Sequence, residues 1–263
     1  TGSGDHSSIA SITPSVTGRA RLLVKESGII AGLGIAREIF SITDPSLETV
    51  LLLKDGNSVK QGDIALTVAG SVHSILRAER LVLNVMQRMS GIATATATYV
   101  ERVSGTRAHI TDTRKTTPGM RALEKEAVRL GGGVNHRMGL YDMIMLKDNH
   151  IDYAGGITAA VRRTQEYLIR QNLPLRIEVE SRNLDEVREI LAVGGVDRIM
   201  LDNFDIPSTR EAVELIGGRA ETESSGGITL ANVREYALCG VDYISIGALT
   251  HHIKSLDMSL KAY

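Results

Sequence analysis

From residue 106 onward, short apolar runs alternate with longer segments in which apolar residues recur at helical spacing. The apolar runs predict strands at residues 108–111, 143–146, 175–179, 198–201, 219–222 and 243–246. The segments between them predict helices at residues 120–130, 157–171, 184–192, 208–216 and 230–238. Because a helix between successive strands returns the chain to the same end of a sheet, this alternation predicts parallel strands.

The spacing of the strand ends indicates how that sheet closes. Glu180, Asp202, Glu223 and Gly247 end four successive predicted strands and are separated by 22, 21 and 24 residues. Such a short period is typical of compact strand–helix units. It favours a closed or nearly closed barrel over a doubly wound sheet.

The first part of the chain has a different pattern. Residues 1–73 are predicted to be mainly β, with short strands at residues 20–25, 29–31, 50–54 and 64–69. From Ser74 to about Val103 the apolar spacing predicts one long helix, or two helices broken at Ser90-Gly91. We therefore predict an N-terminal α/β domain at residues 1–105 and an α/β barrel with the active site at residues 106–251. The sequence leaves open whether residues 252–263 pack on the first domain.

Composition restricts the partners. A formal net charge of -1, without a basic patch interleaved with aromatic residues, argues against binding to nucleic acid. No apolar run approaches the roughly 18 residues of a membrane span, so we expect no membrane insertion. A single cysteine, Cys239, cannot form an internal disulfide and fits a reducing cytoplasm. The chain begins in a turn-like TGSGD without an initiator methionine, so we expect that a leading segment is missing.

Nearly every predicted barrel strand ends in a charged residue or a glycine, and catalytic groups of barrel enzymes lie at these strand ends. The cationic side chains come from the early strands and the loop between them: Arg114, Lys115, His136, Arg137 and Lys147. Planar guanidinium groups bind carboxylates in bidentate fashion. This half of the predicted site suits a substrate that carries carboxylates.

The later strands contribute acids and glycines. Glu180 and Asp202 are placed to hold Mg²⁺ beside a phosphate-rich ligand, although salt bridges to Arg176 or Arg198 are an alternative. Residues 224–227, before a helix expected to begin near Thr229, and residues 247–248 are typical of backbone phosphate cradles in the last two barrel units.

Other chemistries fit less well. His251 and His252 are adjacent and the single cysteine is isolated, so no zinc-ligand spacing occurs. Neither a GxSxG elbow nor a P-loop is present. Lys147 at a strand end could form a Schiff base, which defines a second enzyme class but leaves the arginines and paired acids without a role.

Residues 112–151, DTRKTTPGMRALEKEAVRLGGGVNHRMGLYDMIMLKDNHI, resemble the signature of the quinolinate phosphoribosyltransferase family. The similarity continues through AERLVLNVMQRMSGIATAT, IEVES, IMLDNF, ESSGGIT and VDYISIGALTH, and so covers nearly the whole chain. The resemblance implies type II phosphoribosyltransferase architecture, with an N-terminal α/β domain packed on an incomplete (β/α) TIM-like barrel. It also implies Mg²⁺ dependence and a homodimer with shared active sites, with further assembly into a hexamer left open.

The reaction implied by the resemblance joins quinolinate to phosphoribosyl pyrophosphate and releases pyrophosphate and carbon dioxide, giving nicotinate mononucleotide. Its residues carry over by motif. The resemblance assigns the quinolinate carboxylates to Arg114, His136, Arg137 and Lys147, with Arg80 reaching in from the partner subunit. It assigns the phosphosugar, Mg²⁺ and catalysis to Lys115, Glu180 and Asp202, and the ribose 5-phosphate to Ser225, Gly226 and Gly247.

Helical position alone predicts Arg77, Arg80 and Arg88 to be solvated. Two alternatives to the assigned activity stay open at this point. A paralogue of the same fold could act on another carboxylated base, as a nicotinate enzyme or a molybdate-transport-associated homologue would. A silent binding barrel would be expected to have lost Glu180 or Asp202.

Overall fold

The computed structural model describes residues 4–263 and divides the chain into two compact units. The first contains the chain up to Ala97, together with Ala122–Gly132 and His252–Tyr263; the second contains Thr98–Arg121 and Gly133–His251. This division does not decide the domain boundary predicted after residue 105, which stays a prediction. Among residues 4–263, no helix combines the length and apolar character that a membrane crossing requires.

The elements follow the chain in a regular order. The helices are α1 (His6–Ser11), α2 (Leu33–Thr43), α3 (Val72–Arg102), α4 (Arg121–Leu130), α5 (Asp148–Ala154), α6 (Ile157–Gln171), α7 (Leu184–Val193), α8 (Ile206–Ile216), α9 (Val233–Leu238) and α10 (Ala248–His251). The strands are β1 (Thr17–Val24), β2 (Gly28–Ile29), β3 (Glu48–Leu51), β4 (Ser58–Val59), β5 (Ile64–Ser71), β6 (His109–Thr111), β7 (Ile144–Leu146), β8 (Ile177–Ser181), β9 (Arg198–Asp202), β10 (Glu221–Ser225), β11 (Tyr243–Ser245) and β12 (Met258–Ala262).

The first unit is built on an antiparallel sheet in the order β12-β1-β5-β3. The last strand of the chain, β12, pairs with β1 from Ala20↔Ala262 to Val24↔Met258. Met258 and Leu260 are buried in the same apolar cluster as Leu22, so the end of the chain completes the core of this unit.

The prediction that residues 1–73 are mainly β is wrong for α2. Its buried Leu33, Ala36 and Phe40 follow a helical period that the surrounding β-branched residues obscure. Its first N–H groups are satisfied from a distance, because the Asp55 carboxylate accepts the Leu33 N–H at 2.9 Å and the Gly34 N–H at 3.3 Å. Helix caps usually lie next to their helix, so a capping residue far along the chain gives no local signal.

The second unit contains a parallel sheet in the order β6-β11-β10-β9-β8-β7. Strands β7 to β11 are neighbours in chain order, and β6 lies beside β11 instead of β7. This is the strand order of a barrel that is open between its first two strands, which confirms the predicted incomplete barrel. Val134 forms a parallel bridge with Thr111 of β6 and so brings the loop after α4 to the strand ends.

Arg88 on α3 is not solvated as predicted. Its Nε and Nη2 donate to Oε1 of Glu124 at 2.8 and 2.6 Å, and the Glu124 side chain is fully buried. A buried carboxylate needs such a partner, because its desolvation would otherwise be costly. The ion pair thus joins α3 to the first part of α4 within the first unit.

Helix α3 is continuous through Ser90-Gly91, and Gly91 has a packing role there. A Cβ atom at Gly91 would lie 2.2 Å from the carbonyl oxygen of Lys254 and 3.0 Å from Cα of Ser255. The absence of a side chain therefore lets the backbone of residues 254–255 pass directly over the helix.

We expect Gly91→Ala to destabilise the protein by about 1–3 kcal/mol, because the added methyl group overpacks against backbone that cannot rotate away. The sign is diagnostic, since Gly→Ala in a helix interior otherwise stabilises by roughly 0.5–1 kcal/mol. Urea unfolding of both proteins measures the change. Asn84→Ala, at an exposed position of α3, is the control and should be close to neutral; a stabilised Gly91→Ala protein would contradict the close approach.

Candidate active site

A cavity of about 700 Å³ opens at the carboxyl ends of the parallel strands in the second unit. The fold brings ten of the predicted site residues to its wall: Arg114, Lys115, His136, Arg137, Lys147, Glu180, Asp202, Ser225, Gly226 and Gly247. They come from every part of the sheet, which explains why separate strand ends converge on one space. Arg80 is exposed on α3 in the first unit and does not line this cavity.

Two arginines on the cationic side have unused donors. Nε of Arg114 and Nε of Arg137 are buried and have no hydrogen-bond partner among the described residues, although Nη1 of Arg137 donates to the carbonyl of Met143 at 3.2 Å. Burial lowers the pKa of Arg137, and the positive charge of Arg114 lowers it further. A bound anion would stabilise both cations, so this wall is suited to carboxylates.

Lys147 and Glu180 form an ion pair at the cavity wall, with Nζ and Oε2 2.8 Å apart. The alternative pairing of Glu180 with Arg176 or Arg198 does not occur, because those arginines bind Glu221, and Arg198 also binds Glu223. Glu180 is thus the direct partner of Lys147 in this cavity.

Asp202 ends β9 beside an unusual backbone turn. Asn203 follows it with φ 57° and donates from Nδ2 to Oδ2 of Asp202 at 2.7 Å. A Cβ on Gly226 would lie 2.1 Å from Oδ1 of Asn203, so only glycine fits there. Glu180 and Asp202 lie on neighbouring strands and offer hard oxygen atoms, and this donor set fits Mg²⁺, which completes its coordination with water and phosphate oxygens.

The glycine-containing side differs from the prediction in one respect. Helix α9 begins at Val233 and not near Thr229, so Gly226 and Gly227 do not lead directly into a helix N-terminus. The residues between form turns, in which Oδ1 of Asn232 accepts the Thr229 N–H at 2.7 Å. Any phosphate contact here would rely on backbone N–H groups and side chains, without help from a helix dipole.

His251 was considered only as a zinc ligand in the sequence, yet it lines the cavity beside Gly247. A Cβ on Gly247 would lie 2.8 Å from Nε2 of His251 and 3.4 Å from Cδ of Lys115. The glycine therefore allows two basic side chains to approach the same point. The sequence signal for this contact was the four-residue spacing of Gly247 and His251 at the start of α10.

A buried cluster at the floor of the cavity was also missed, although two of its members, His136 and Glu223, line the cavity. Glu223 lies inside β10 and is fully buried, not at a strand end as predicted, and Glu178 is fully buried inside β8. Nε2 of His136 is 3.0 Å from Oε2 of Glu178 and 3.5 Å from Oε2 of Glu223. Nη1 of Arg198 is 2.8 Å from Oε2 of Glu223. Glu178 and Glu180 are two apart in one strand and so face the same side, which was the signal for an acid inside the barrel.

The His136 ring indicates what this cluster does not bind. The Arg137 N–H donates to Nδ1 of His136 at 2.7 Å, so Nδ1 has a lone pair and a neutral ring carries its proton on Nε2. The donor atoms of His136, Glu178 and Glu223 lie within 4.8 Å of one another, but a protonated Nε2 cannot bind a metal ion. Burial raises the pKa of both Glu178 and Glu223 to about 7.

Two family models match the chain. The model for the quinolinate phosphoribosyl transferase N-terminal domain matches residues 5–90, and the model for the C-terminal domain of the same family matches residues 92–261. The chain belongs to the quinolinate phosphoribosyl transferase family. This confirms the resemblance that the motifs indicated.

Several known proteins are similar to the chain over most of its length. A chloroplastic nicotinate-nucleotide pyrophosphorylase [carboxylating] from Arabidopsis thaliana is 48% identical over 98% of this chain and 78% of its own length. A probable nicotinate-nucleotide pyrophosphorylase [carboxylating] from Synechocystis is 46% identical over 93% of this chain and 82% of its own length. The solved structure of NadC from Streptococcus pyogenes superposes with a TM-score of 0.92, at 40% identity, over 98% of this chain and 91% of that one.

We expect the stability of the protein to fall as the pH rises from about 4.5 to about 7, in part because of Glu223. The unfolded state releases this proton near the ordinary glutamate pKa of 4.5, whereas burial raises the pKa of Glu223 in the folded state to about 7. Glu223→Gln should make the midpoint of urea unfolding less dependent on pH across this window. Glu221→Gln, on the same strand and half-buried, should keep the dependence of the unsubstituted protein; equal slopes in all three would contradict the assignment.

Proposed function

We propose that this chain transfers the phosphoribosyl group of phosphoribosyl pyrophosphate to quinolinate and removes one carboxyl group, giving nicotinate mononucleotide, pyrophosphate and carbon dioxide. The observation that carries the proposal is the pair of unused, buried guanidinium donors of Arg114 and Arg137 at the cavity wall. They face the same cavity as Lys147, the acids Glu180 and Asp202, and the glycine-containing turns. One wall suits two carboxylates, and the other suits a charged sugar phosphate.

The cationic wall binds and orients the pyridine dicarboxylate. Arg114, Arg137 and Lys147 hold its carboxylates, and His136 lies at the floor of the same wall. This fixes the ring nitrogen opposite the sugar. Holding two reactants in line can contribute up to about 7–11 kcal/mol to a bimolecular step, and this is the main effect available to the wall.

The acidic side acts on the sugar. The C1–O bond to pyrophosphate breaks while the pyridine nitrogen bonds to C1, and positive charge develops on the ribose ring. Carboxylates of Glu180 and Asp202 stabilise that charge, and Lys115 offsets the charge of the departing pyrophosphate. Ser225, Gly226 and Gly247 hold the 5-phosphate in this proposal.

Mg²⁺ is the proposed cofactor, held by Glu180 and Asp202. When bound, it neutralises charge on the pyrophosphate oxygens and orients them. The oxygen donors of the two side chains support this proposal.

Decarboxylation follows once the pyridine nitrogen has bonded to C1 of the sugar. Once ribosylated, the ring nitrogen is cationic and stabilises the electron pair that remains on the adjacent carbon when carbon dioxide leaves. A proton then replaces the carboxyl group.

The alternative of a nicotinate-specific paralogue is less well supported. Nicotinate has one carboxylate, whereas Arg114, Arg137 and Lys147 provide more cationic donors at one wall than a single carboxylate needs. A silent binding barrel is disfavoured because both Glu180 and Asp202 line the cavity.

The proposed assembly is a homodimer with shared sites, and a hexamer is left open. Arg80 is exposed on α3, four residues after the exposed Leu76 and next to the exposed Leu81. A cation flanked by exposed apolar side chains suits a surface that another protein covers. Arg80 would then complete the quinolinate wall of the partner subunit.

The proposed location is the cytoplasm. Cys239 is buried and has no second cysteine with which to pair, which fits a reducing compartment. Similar plant proteins carry chloroplastic and mitochondrial names, so recovery of the native protein from an organelle fraction would contradict this proposal.

Release of carbon dioxide from carboxyl-labelled quinolinate should require both phosphoribosyl pyrophosphate and Mg²⁺, with nicotinate mononucleotide formed in equal amount. Asp202→Asn should lower the rate by roughly a hundredfold, because it removes one charge next to the developing cation. Asp185→Asn, the same change at an exposed site on α7, is the matched control. Folded protein that releases no carbon dioxide would exclude the proposed reaction.

Mixed dimers test the shared site. Arg80→Ala and Lys147→Ala should each be nearly inactive alone, whereas random mixing should restore about one quarter of the activity, because half of the dimers are mixed and one of their two sites is intact. Activity is measured after subunit exchange, with formation of mixed dimers verified by mass spectrometry. No recovery in verified mixed dimers would show that Arg80 does not serve the partner.

A further inference from the structure

The loop that carries Arg137 into the cavity is held by a chain of contacts. The His136 N–H donates to Oδ1 of Asp112 at 2.9 Å, and the Arg137 N–H donates to Nδ1 of His136 at 2.7 Å. The His136 ring therefore fixes the backbone from which Arg137 projects. Anything that sets the orientation of this ring also sets the position of Arg137.

Glu178 is the group that meets the other side of the ring. Its Oε2 is 3.0 Å from Nε2 of His136, closer than Glu223 at 3.5 Å. Neither oxygen of Glu178 has hydrogen-bond geometry with any described residue. The contact is therefore mainly an electrostatic attraction and not a well-aligned hydrogen bond. Since Nε2 carries the proton of a neutral ring, the attraction joins a donor to an acceptor.

The two buried acids differ in their other partners. Glu223 binds Nη1 of Arg198 at 2.8 Å, and that guanidinium also binds Glu221. Among residues 4–263, Glu178 forms one ion-pair contact, and its partner is His136. Glu178 is fully buried, and the charges of Arg198 and Arg137 compensate it from a distance, whereas His136 is the side chain in direct contact with it and the neighbour through which it can act.

We infer that Glu178 is a positioning residue for quinolinate: it orients the His136 ring with Nδ1 toward the backbone of Arg137, and so places the Arg137 guanidinium at the cavity wall. Because the Arg137 N–H donates to Nδ1 of His136, the orientation of the ring sets the position of the Arg137 backbone. The inference rests on the proposed function only where it takes quinolinate as the ligand of Arg137.

Steady-state kinetics of Glu178→Gln provide the test. The substitution keeps the side-chain volume and removes the charge, so the ring is held less firmly, and a misplaced contact can change rates severalfold to a hundredfold. We expect KM for quinolinate to rise roughly tenfold while KM for phosphoribosyl pyrophosphate stays within about twofold. Glu221→Gln is the matched control. Glu221 binds Arg198, as Glu223 does, but its ion pairs are with Arg198 and Arg176 and not with His136. Equal increases in both KM values, or the same increase in the control, would overturn the inference.

A second measurement does not depend on activity and is made on the unsubstituted protein, with a variant used only to assign signals. In ¹⁵N-labelled protein, long-range ¹H–¹⁵N correlation spectra distinguish the two neutral tautomers of a histidine, and His136→Asn identifies the signals of His136. We expect a protonated Nε2 and an unprotonated Nδ1. A ring protonated on Nδ1, or on both nitrogens, would overturn the inference even if the enzyme releases carbon dioxide; the expected tautomer in a protein that releases none would instead count against the proposed function.

Discussion

The second unit depends on charges placed inside a parallel sheet and compensated there. Strands β8 and β10 carry Glu178 and Glu223 into the interior, where a barrel usually packs apolar side chains. Arg198, from the strand between them, supplies the opposite charge. Its guanidinium carbon Cζ lies over the Tyr243 ring, 3.7 Å from the ring centroid. Removing one member of such a group leaves another buried and uncompensated, so the group constrains the sheet as a unit.

That buried layer also determines what the cavity above it can bind. Arg114 and Arg137 retain unused donors, because the acids beneath them are engaged by His136 and Arg198. The charge of Glu178 compensates Arg137 only in part, and the unused donors remain available to an anion. Lys147 and Glu180 form an ion pair with Nζ and Oε2 2.8 Å apart, so the cationic and the acidic side chains of the cavity are in direct contact there. The separation into two halves follows from which charges are compensated within the protein.

The sequence predicted a barrel of parallel strands and ten of the residues that line the cavity, because strand periodicity and chain order determine which residues meet at the carboxyl ends. It failed where the deciding partner is distant in the chain. The N–H groups of α2 are satisfied by Asp55, and Arg88 meets a buried acid on α4. Glu223 was assigned to a strand end because an acid inside a strand is rare; only the packed sheet brings Arg198 and His136 close enough to accommodate it. The start of α9 was misplaced because the turns at residues 229–232 have helix-like composition.

Pairing of β1 with β12 affects how the chain acquires its structure. Leu22 and Leu260 are register partners 238 residues apart, so the sheet of the first unit lacks its edge strand until the last residues have been made. The entropy of closing so long a loop must be overcome before this contact forms, and folding slows as such contacts increase. During synthesis, β1 would leave the ribosome with one edge unpaired. The barrel strands lie between β5 and β12 in the chain, so the barrel can form before β12 is made. Unpaired edges of this kind recruit other strands, so a chain that stops before residue 258 should be a target for chaperones and prone to aggregation.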